Sequence, residues 1–109
     1  MIRYLSHIAD VIKGKAPLGS LRSKDWPKAR KLCLIRQPEC MACASIKNLE
    51  VHHIFPFHLD PSKELDQDNL ITLCRGCHCL FGHLGSWKSW NETVSADAAV
   101  MFKKVEARP

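Results

Sequence analysis

The sequence predicts a small α+β domain in which two antiparallel strands and a short helix are flanked by longer helices at both ends. Two segments, 49–55 and 70–73, have the apolar patterns of short strands. Segments 2–12 and 95–107 instead show helical spacing or helix-capping residues, with Ser95 as the expected N-cap of the last helix. At 109 residues, 46% hydrophobic and 25% charged, the chain is expected to be one globular domain.

Two helices are predicted in the first part of the chain. The first covers residues 2–12 and ends at Gly14, where a helix C-cap is expected. A loop follows it, and the second helix begins after Ser23 or Asp25 and ends before Pro38. The predicted apolar members of this second helix are Trp26, Ala29, Leu32, Cys33 and, at the edge, Ile35.

Basic residues are concentrated in the same region. Residues 1–36 contain nine Lys or Arg against two Asp, a net charge of +7, so the rest of the chain sums to −2. This asymmetry favours a polyanionic partner such as DNA, although a solvated, solubilising surface has the same composition. The residues expected to contact phosphates are Lys24, Lys28, Arg30, Lys31, Arg36 and, further along the chain, Arg75.

The pattern of residues 49–83 predicts a hairpin followed by a short helix. In residues 49–55 apolar and polar side chains alternate until Pro56 ends the strand. Residues 57–68 are polar and lack periodicity, which predicts a long loop. The second strand, 70–73, runs directly into a cysteine pair, and a helix kept short by glycines is expected over residues 78–83.

No apolar run approaches the roughly 20 residues of a membrane helix, and the N-terminus lacks the apolar region of a signal peptide. A cytoplasmic location and no membrane partner are therefore expected. Six cysteines could also form a secreted disulfide scaffold, but paired Cys-x-x-Cys spacing without a leader favours metal binding.

Four cysteines are expected to hold one structural zinc ion. Zinc prefers four thiolates in a tetrahedron, and each Cys-x-x-Cys turn supplies two. Cys33 is left over and is expected to be a small buried hydrophobe, whereas Cys79 follows His78 so closely that a different ligand trio stays open. The expected zinc ligands are Cys40, Cys43, Cys74 and Cys77.

The order of polar residues within this framework resembles a known family. Residues 49–54 (LEVHHI) and 68–78 (DNLITLCRGCH) are similar to the HNH endonuclease motif in its zinc-ribbon form. Residues 81–84 (FGHL) resemble the version found in small phage and prophage HNH proteins. The resemblance implies a ββα-metal core over residues 40–83, braced by the four-cysteine zinc ribbon, with flanking N- and C-terminal helices.

The resemblance also implies a role for each polar residue. His53 matches the general base that deprotonates the attacking water, and His52 and His78 match the ligands of one divalent cation. Asn69 matches the middle residue of the motif and is expected to orient the loop around the base. His83 resembles a third ligand, but it follows His78 by five residues rather than one α-helical turn, so its role stays open.

The implied activity is hydrolysis of DNA phosphodiesters to 5′-phosphate and 3′-hydroxyl products with Mg²⁺ or Mn²⁺. Histidine ligands also suit Ni²⁺ or Co²⁺. A chain of this size offers little surface for reading bases, so nicking or weakly specific cleavage is expected. The alternatives are a non-catalytic zinc-ribbon module that binds nucleic acid, or an accessory nuclease of a phage DNA-processing or packaging complex. No sequence feature indicates an oligomeric state.

The two adjacent histidines set a geometric condition. Neighbouring side chains on a regular strand point to opposite faces, so His52 and His53 can act on one phosphate only if the strand ends or bulges there. Pro56, three residues after His53, favours an early end of the strand.

Overall fold

The computed structural model describes residues 23–109, and the helix predicted at 2–12 lies outside this range. Two antiparallel strands, β1 (Leu49–His53) and β2 (Leu70–Cys74), form the centre of the fold. Within the described range, no helix has the length and apolar character needed to cross a membrane. The helices are α1 (Trp26–Arg36), the short α2 (Arg75–Cys77), the π-helix π1 (His78–Gly82) and α3 (Val94–Ala107), and the hairpin loop contains two 3-10 turns, Pro61–Lys63 and Gln67–Asn69.

The two-stranded sheet is covered on both faces. The register pairs Leu49 with Cys74 and His53 with Leu70, so side chains alternate regularly between the faces. One face packs against α1, and the other packs against α3 and the turn that carries Cys40 and Cys43. This explains why β2 is apolar almost throughout, since a strand buried on both sides has no solvent face. The α+β architecture predicted from the sequence is confirmed.

Fewer apolar side chains of α1 are buried against the sheet than the sequence predicts. Trp26 and Cys33 are buried, and the thiol of Cys33 lies 3.5 Å from the hydroxyl of Thr72 on β2. The expectation that Cys33 is a small buried hydrophobe is therefore confirmed. Leu32 and Ile35 are 46% and 66% exposed, so their assignment to the apolar side was wrong. The helix contacts the sheet along one stripe, and both residues lie beside it.

The last helix begins before the predicted N-cap. Thr93, not Ser95, occupies the N-cap position of α3. The carboxylate of Asp97 accepts hydrogen bonds from the Asn91 amide and the Thr93 hydroxyl, and the Asn91 side-chain oxygen accepts one from the Thr93 backbone N–H. This network fixes the chain ahead of Ser95, which leaves Val94 and Ala98 to fill the core.

Candidate metal centres

The four paired cysteines converge at the end of the sheet that is opposite the hairpin loop. Cys40 and Cys43 lie on a turn whose Met41 N–H donates to the Thr72 carbonyl, which attaches that turn to β2. Cys74 ends β2, and Cys77 ends α2. All four sulfurs lie within 4.8 Å of one another, so segments that are far apart in sequence share one centre.

The spacing of these sulfurs suits zinc. The Sγ atoms of Cys43 and Cys74 are 3.7 Å apart, close to the roughly 3.8 Å that a tetrahedron with Zn–S bonds of about 2.3 Å requires. Burial raises the pKa of Cys40, but backbone N–H groups outweigh it and lower that pKa to about 7. Burial raises the pKa of Cys43 and of Cys77. A cation among the sulfurs would favour the thiolate forms of Cys43 and Cys77, which burial disfavours.

Three histidines from different elements form a second cluster. His52 lies on β1, His78 begins π1, and His83 follows its end, and their ring nitrogens lie within 4.8 Å of one another. The rings of His52 and His78 are 4.9 Å apart between centroids, and those of His52 and His83 are also 4.9 Å apart. The arrangement brings together the three residues that the sequence assigned to a divalent cation.

The π-helix explains how His83 can lie beside His78 although the two residues are five positions apart, the spacing that left the role of His83 open. An α-helix places residues three or four apart on one face, whereas a π-helix closes its turn with hydrogen bonds between residues five apart. His78 and His83 bracket the π-helical turn His78–Gly82, and their Nε2 atoms are 3.2 Å apart. Such turns are frequent at functional sites.

Partners at the other ring nitrogens fix two of the tautomers. His78 Nδ1 donates to the Glu50 carboxylate over 2.8 Å, and His83 Nδ1 donates to the carbonyl oxygen of Ser89 over 2.7 Å. When both rings are neutral, the two Nε2 atoms carry lone pairs that face each other over 3.2 Å, and a cation between them would relieve this repulsion. The buried Nε2 of His52 has no hydrogen-bond partner among the described residues. This donor set fits a divalent cation.

Burial favours the neutral forms of His52 and His78, and a neutral imidazole is the form that binds metal. Burial lowers the pKa of His52 to about 3, and the neighbouring charges of His78, His83 and His53 add to the shift. Burial also lowers the pKa of His78, although Glu50 partly opposes it. Because ligand imidazoles must be neutral, these shifts favour metal binding near pH 7.

Glycine at position 82 makes room for the His52 ring. A Cβ added to Gly82 would lie 3.1 to 3.2 Å from three atoms of that ring, and the ring is enclosed by its neighbours. Gly76 lies a few residues earlier, and a Cβ there would meet nothing within 4 Å. The two glycines therefore provide a test and a matched control.

We expect Gly82→Ala to displace His52 and to lower the affinity of the histidine cluster for Mn²⁺ by about 10- to 100-fold, as loss of a ligand-orienting contact does. Zinc content should not change. Isothermal titration with Mn²⁺, beside Gly76→Ala as control, measures the effect. Equal affinities for both variants would show that the close approach of Gly82 does not position His52.

His53 lies apart from the three clustered histidines. β1 ends at His53 without a bulge, but His53 is still paired with Leu70, so the strand end expected from Pro56 does not bring His52 and His53 to one face. Its ring points to the α1 face, where it packs 4.6 Å from the Trp26 ring between centroids. His53 Nε2 donates to the carbonyl oxygen of Glu64 over 2.9 Å, so in this tautomer the lone pair is on Nδ1.

Asn69 links the hairpin loop to the end of β1. Its side-chain oxygen accepts a hydrogen bond from the Phe55 N–H, and its amide donates to the carbonyls of Phe55 and Lys63. Asn69 is buried, and the loop it ties down carries Glu64, the partner of His53. The sequence predicted this kind of backbone contact for Asn69.

The residues predicted to contact phosphates lie in two places, on or just before α1 and beside the histidine cluster. Lys28, Lys31 and Arg36 are exposed on α1, and Arg30 is half-buried there. Arg75 is exposed beside the histidine cluster, where it pairs with Glu50 at 3.2 Å. The last of the six, Lys24, lies exposed just before α1.

Glu50 is a site residue that sequence reasoning missed. Burial raises the pKa of its carboxyl, but the His78 hydrogen bond and the charges of His78 and Arg75 outweigh burial and lower that pKa below its ordinary value. The sequence does contain a signal, because Glu50 lies two residues before His52 on a strand and must share its face. The ring of Trp87 also lies beside the cluster, 4.9 Å from that of His83 between centroids.

Comparison with known proteins agrees with this geometry. The family model described as HNH endonuclease matches residues 38–80, which span the cysteine turns, both strands and the start of π1. No curated protein and no solved structure matches the chain.

Proposed function

Because the HNH endonuclease family model matches residues 38–80, we propose that this chain is a metal-dependent DNA endonuclease that leaves 5′-phosphate and 3′-hydroxyl ends. The observation that carries the proposal is the convergence of three imidazoles, from His52, His78 and His83, near the end of β1. A domain that only bound nucleic acid would have no use for this second cluster in addition to the four cysteines.

His52, His78 and His83 would hold one divalent cation. When bound, this cation supplies a Lewis acid for the charge that develops on the phosphate and the leaving oxygen. Three imidazoles favour Mn²⁺, Co²⁺ or Ni²⁺ over Mg²⁺, so we expect higher activity in vitro with these ions, with Mg²⁺ also supporting cleavage. The four-cysteine centre would hold zinc and brace the fold without taking part in the reaction.

His53 would act as the general base. Its Nε2–H is held by the Glu64 carbonyl, which leaves Nδ1 as the nitrogen that accepts the proton of the attacking water. His52 and His53 point to opposite faces, so the phosphodiester would have to cross the end of β1 to contact both sides. Asn69 would hold the Glu64 loop in place during the reaction.

The exposed basic side chains of α1 would hold the DNA backbone. α1 covers the face on which His53 lies, and its contact with His53 is made by Trp26 at its first turn. Phosphate contacts of this kind set the position of the duplex without reading its bases. We therefore expect weak sequence specificity.

We expect the double variant Lys28→Glu, Lys31→Glu to bind DNA more weakly and with a flatter salt dependence. Each lost phosphate contact removes about one unit from the slope of log K against log salt, so the slope should fall by about 2. Fluorescence anisotropy with a labelled duplex measures it. Lys47→Glu, also exposed, is the control. An unchanged slope in the double variant would exclude α1 as the phosphate contact.

Incubation with supercoiled plasmid tests the proposed activity. With Mn²⁺ the parent chain should convert the plasmid to nicked and then linear forms, and His53→Ala should do so at least about 100-fold more slowly. Metal binding by His53→Ala should stay as in the parent, since His53 is outside both metal clusters. Its stability should be lower, because the buried His53 ring packs on Trp26 and bonds the Glu64 carbonyl.

A non-catalytic nucleic-acid-binding module is the second candidate, and the separation of His53 from the three clustered histidines favours it. This candidate predicts that the parent and His53→Ala both bind plasmid without cutting it. Cleavage by both at equal rates would instead keep the nuclease but remove His53 as its base. A cytoplasmic location remains the prediction made from the sequence.

A further inference from the structure

An apolar groove of about 470 Å³ lies between π1 and α3. Neither metal cluster contributes a residue to its lining. Single exposed apolar side chains are ordinary, but several that line one groove mark an interaction surface. Four of its lining residues are large, apolar and exposed: Leu80, Leu84, Val100 and Met101, with exposed fractions of 60%, 61%, 58% and 36%.

The charges on this side of α3 are arranged symmetrically. Asp97 precedes Val100 by three residues, and Lys104 follows Met101 by three residues. Positions 97, 100, 101 and 104 share one side of a helix, and all four line the groove. The Asp97 carboxylate is held in place by its hydrogen bonds from Asn91 and Thr93. The apolar pair therefore has a fixed negative charge at one end and a positive charge at the other.

This pattern is complementary to itself. A twofold axis between Val100 and Met101 would place a second α3 antiparallel to the first, with each Asp97 opposite the Lys104 of the other chain. The apolar pairs would then meet at the axis, with Leu80 and Leu84 closing the groove at its sides. A second copy supplies both the apolar surface and the opposite charges, without any further requirement on its sequence.

We propose that the surface formed by Leu80, Leu84, Asp97, Val100, Met101 and Lys104 is the interface of a homodimer in which two α3 helices pack antiparallel. The proposal is independent of the proposed nuclease activity, since the groove shares no residue with either metal cluster. In the dimer two equivalent histidine clusters would be carried on one particle.

Sedimentation velocity of the zinc-loaded full chain, from about 1 to about 200 μM, tests the proposal. We expect a monomer–dimer equilibrium with a micromolar dissociation constant, as for other small interfaces. Met101→Asp should weaken it at least about 100-fold, because two unpaired carboxylates would be buried at the axis. Ala99→Asp makes the same charge change at an exposed position outside the groove and should leave the equilibrium unchanged.

A second pair of variants tests the charges alone. Lys104→Glu should weaken the dimer about tenfold by placing like charges opposite each other, and Lys104→Arg should stay within about twofold of the parent. Position 104 is exposed, so both variants should retain the fold. A chain that stays monomeric over the whole range would overturn the proposal. So would a dimer that neither Met101→Asp nor Lys104→Glu weakens.

Discussion

Replacement of Cys74 by serine is expected to cost the chain its zinc and its cooperative fold. The four cysteines bring the turn that carries Cys40 and Cys43 to the end of β2, so a zinc ion there would link segments about 30 residues apart in sequence. Structural zinc contributes about 10 kcal/mol or more in small zinc domains, while a domain of this size is stable by only about 5–15 kcal/mol. The variant should therefore be largely unfolded at 25 °C.

Elemental analysis and thermal unfolding followed by circular dichroism measure this result. The parent should contain one zinc per chain and unfold in a single cooperative transition, and Cys74→Ser should show neither. Cys79→Ser is the matched control, because Cys79 is half-buried but outside the four-sulfur cluster. A Cys74→Ser chain that keeps the parent's zinc content or melting temperature would refute a structural role for this centre.

Replacement of His78 by alanine is expected to remove the second metal and the proposed activity while the fold survives. His78 is one of the three imidazoles proposed as ligands, and its Nδ1 donates a hydrogen bond to the carboxylate of Glu50. Loss of a residue that merely orients a ligand costs about 10- to 100-fold in metal affinity. We therefore expect more than about 100-fold for His78→Ala and about 10- to 100-fold for Glu50→Gln.

The Mn²⁺ affinity and the rate of plasmid cleavage should both decrease in the order parent, Glu50→Gln, His78→Ala. His58→Ala is the control, since His58 is exposed in the hairpin loop and lies outside the cluster. All variants should keep the zinc content and melting temperature of the parent within a few degrees. If His78→Ala bound Mn²⁺ as tightly as the parent, the three histidines would not form one site.

The sequence predicted the parts of this site that depend on short-range patterns. The cysteine pairs, the alternation in β1 and the apolar run of β2 are each local, and the structure brings all of them together as expected. The role of Glu50 could also have been inferred, because residues two apart on a strand share a face.

Other features depend on contacts that local patterns do not contain. Residues five apart, such as His78 and His83, do not lie on one face of an α-helix, and it is the π-helical turn that brings the two rings together. The exposure of Leu32 and Ile35 follows from which stripe of α1 meets the sheet. The start of α3 depends on a network through Asn91 and Asp97.

The arrangement of two metal centres is tested most directly by anomalous diffraction from crystals of the zinc-loaded chain soaked in Mn²⁺. One zinc peak is expected within about 2.3 Å of the four sulfurs of Cys40, Cys43, Cys74 and Cys77. A separate manganese peak is expected within about 2.2 Å of the Nε2 atoms of His52, His78 and His83. Manganese bound only elsewhere, or absent from the three histidines at saturating concentration, would contradict the second centre and the activity proposed for it.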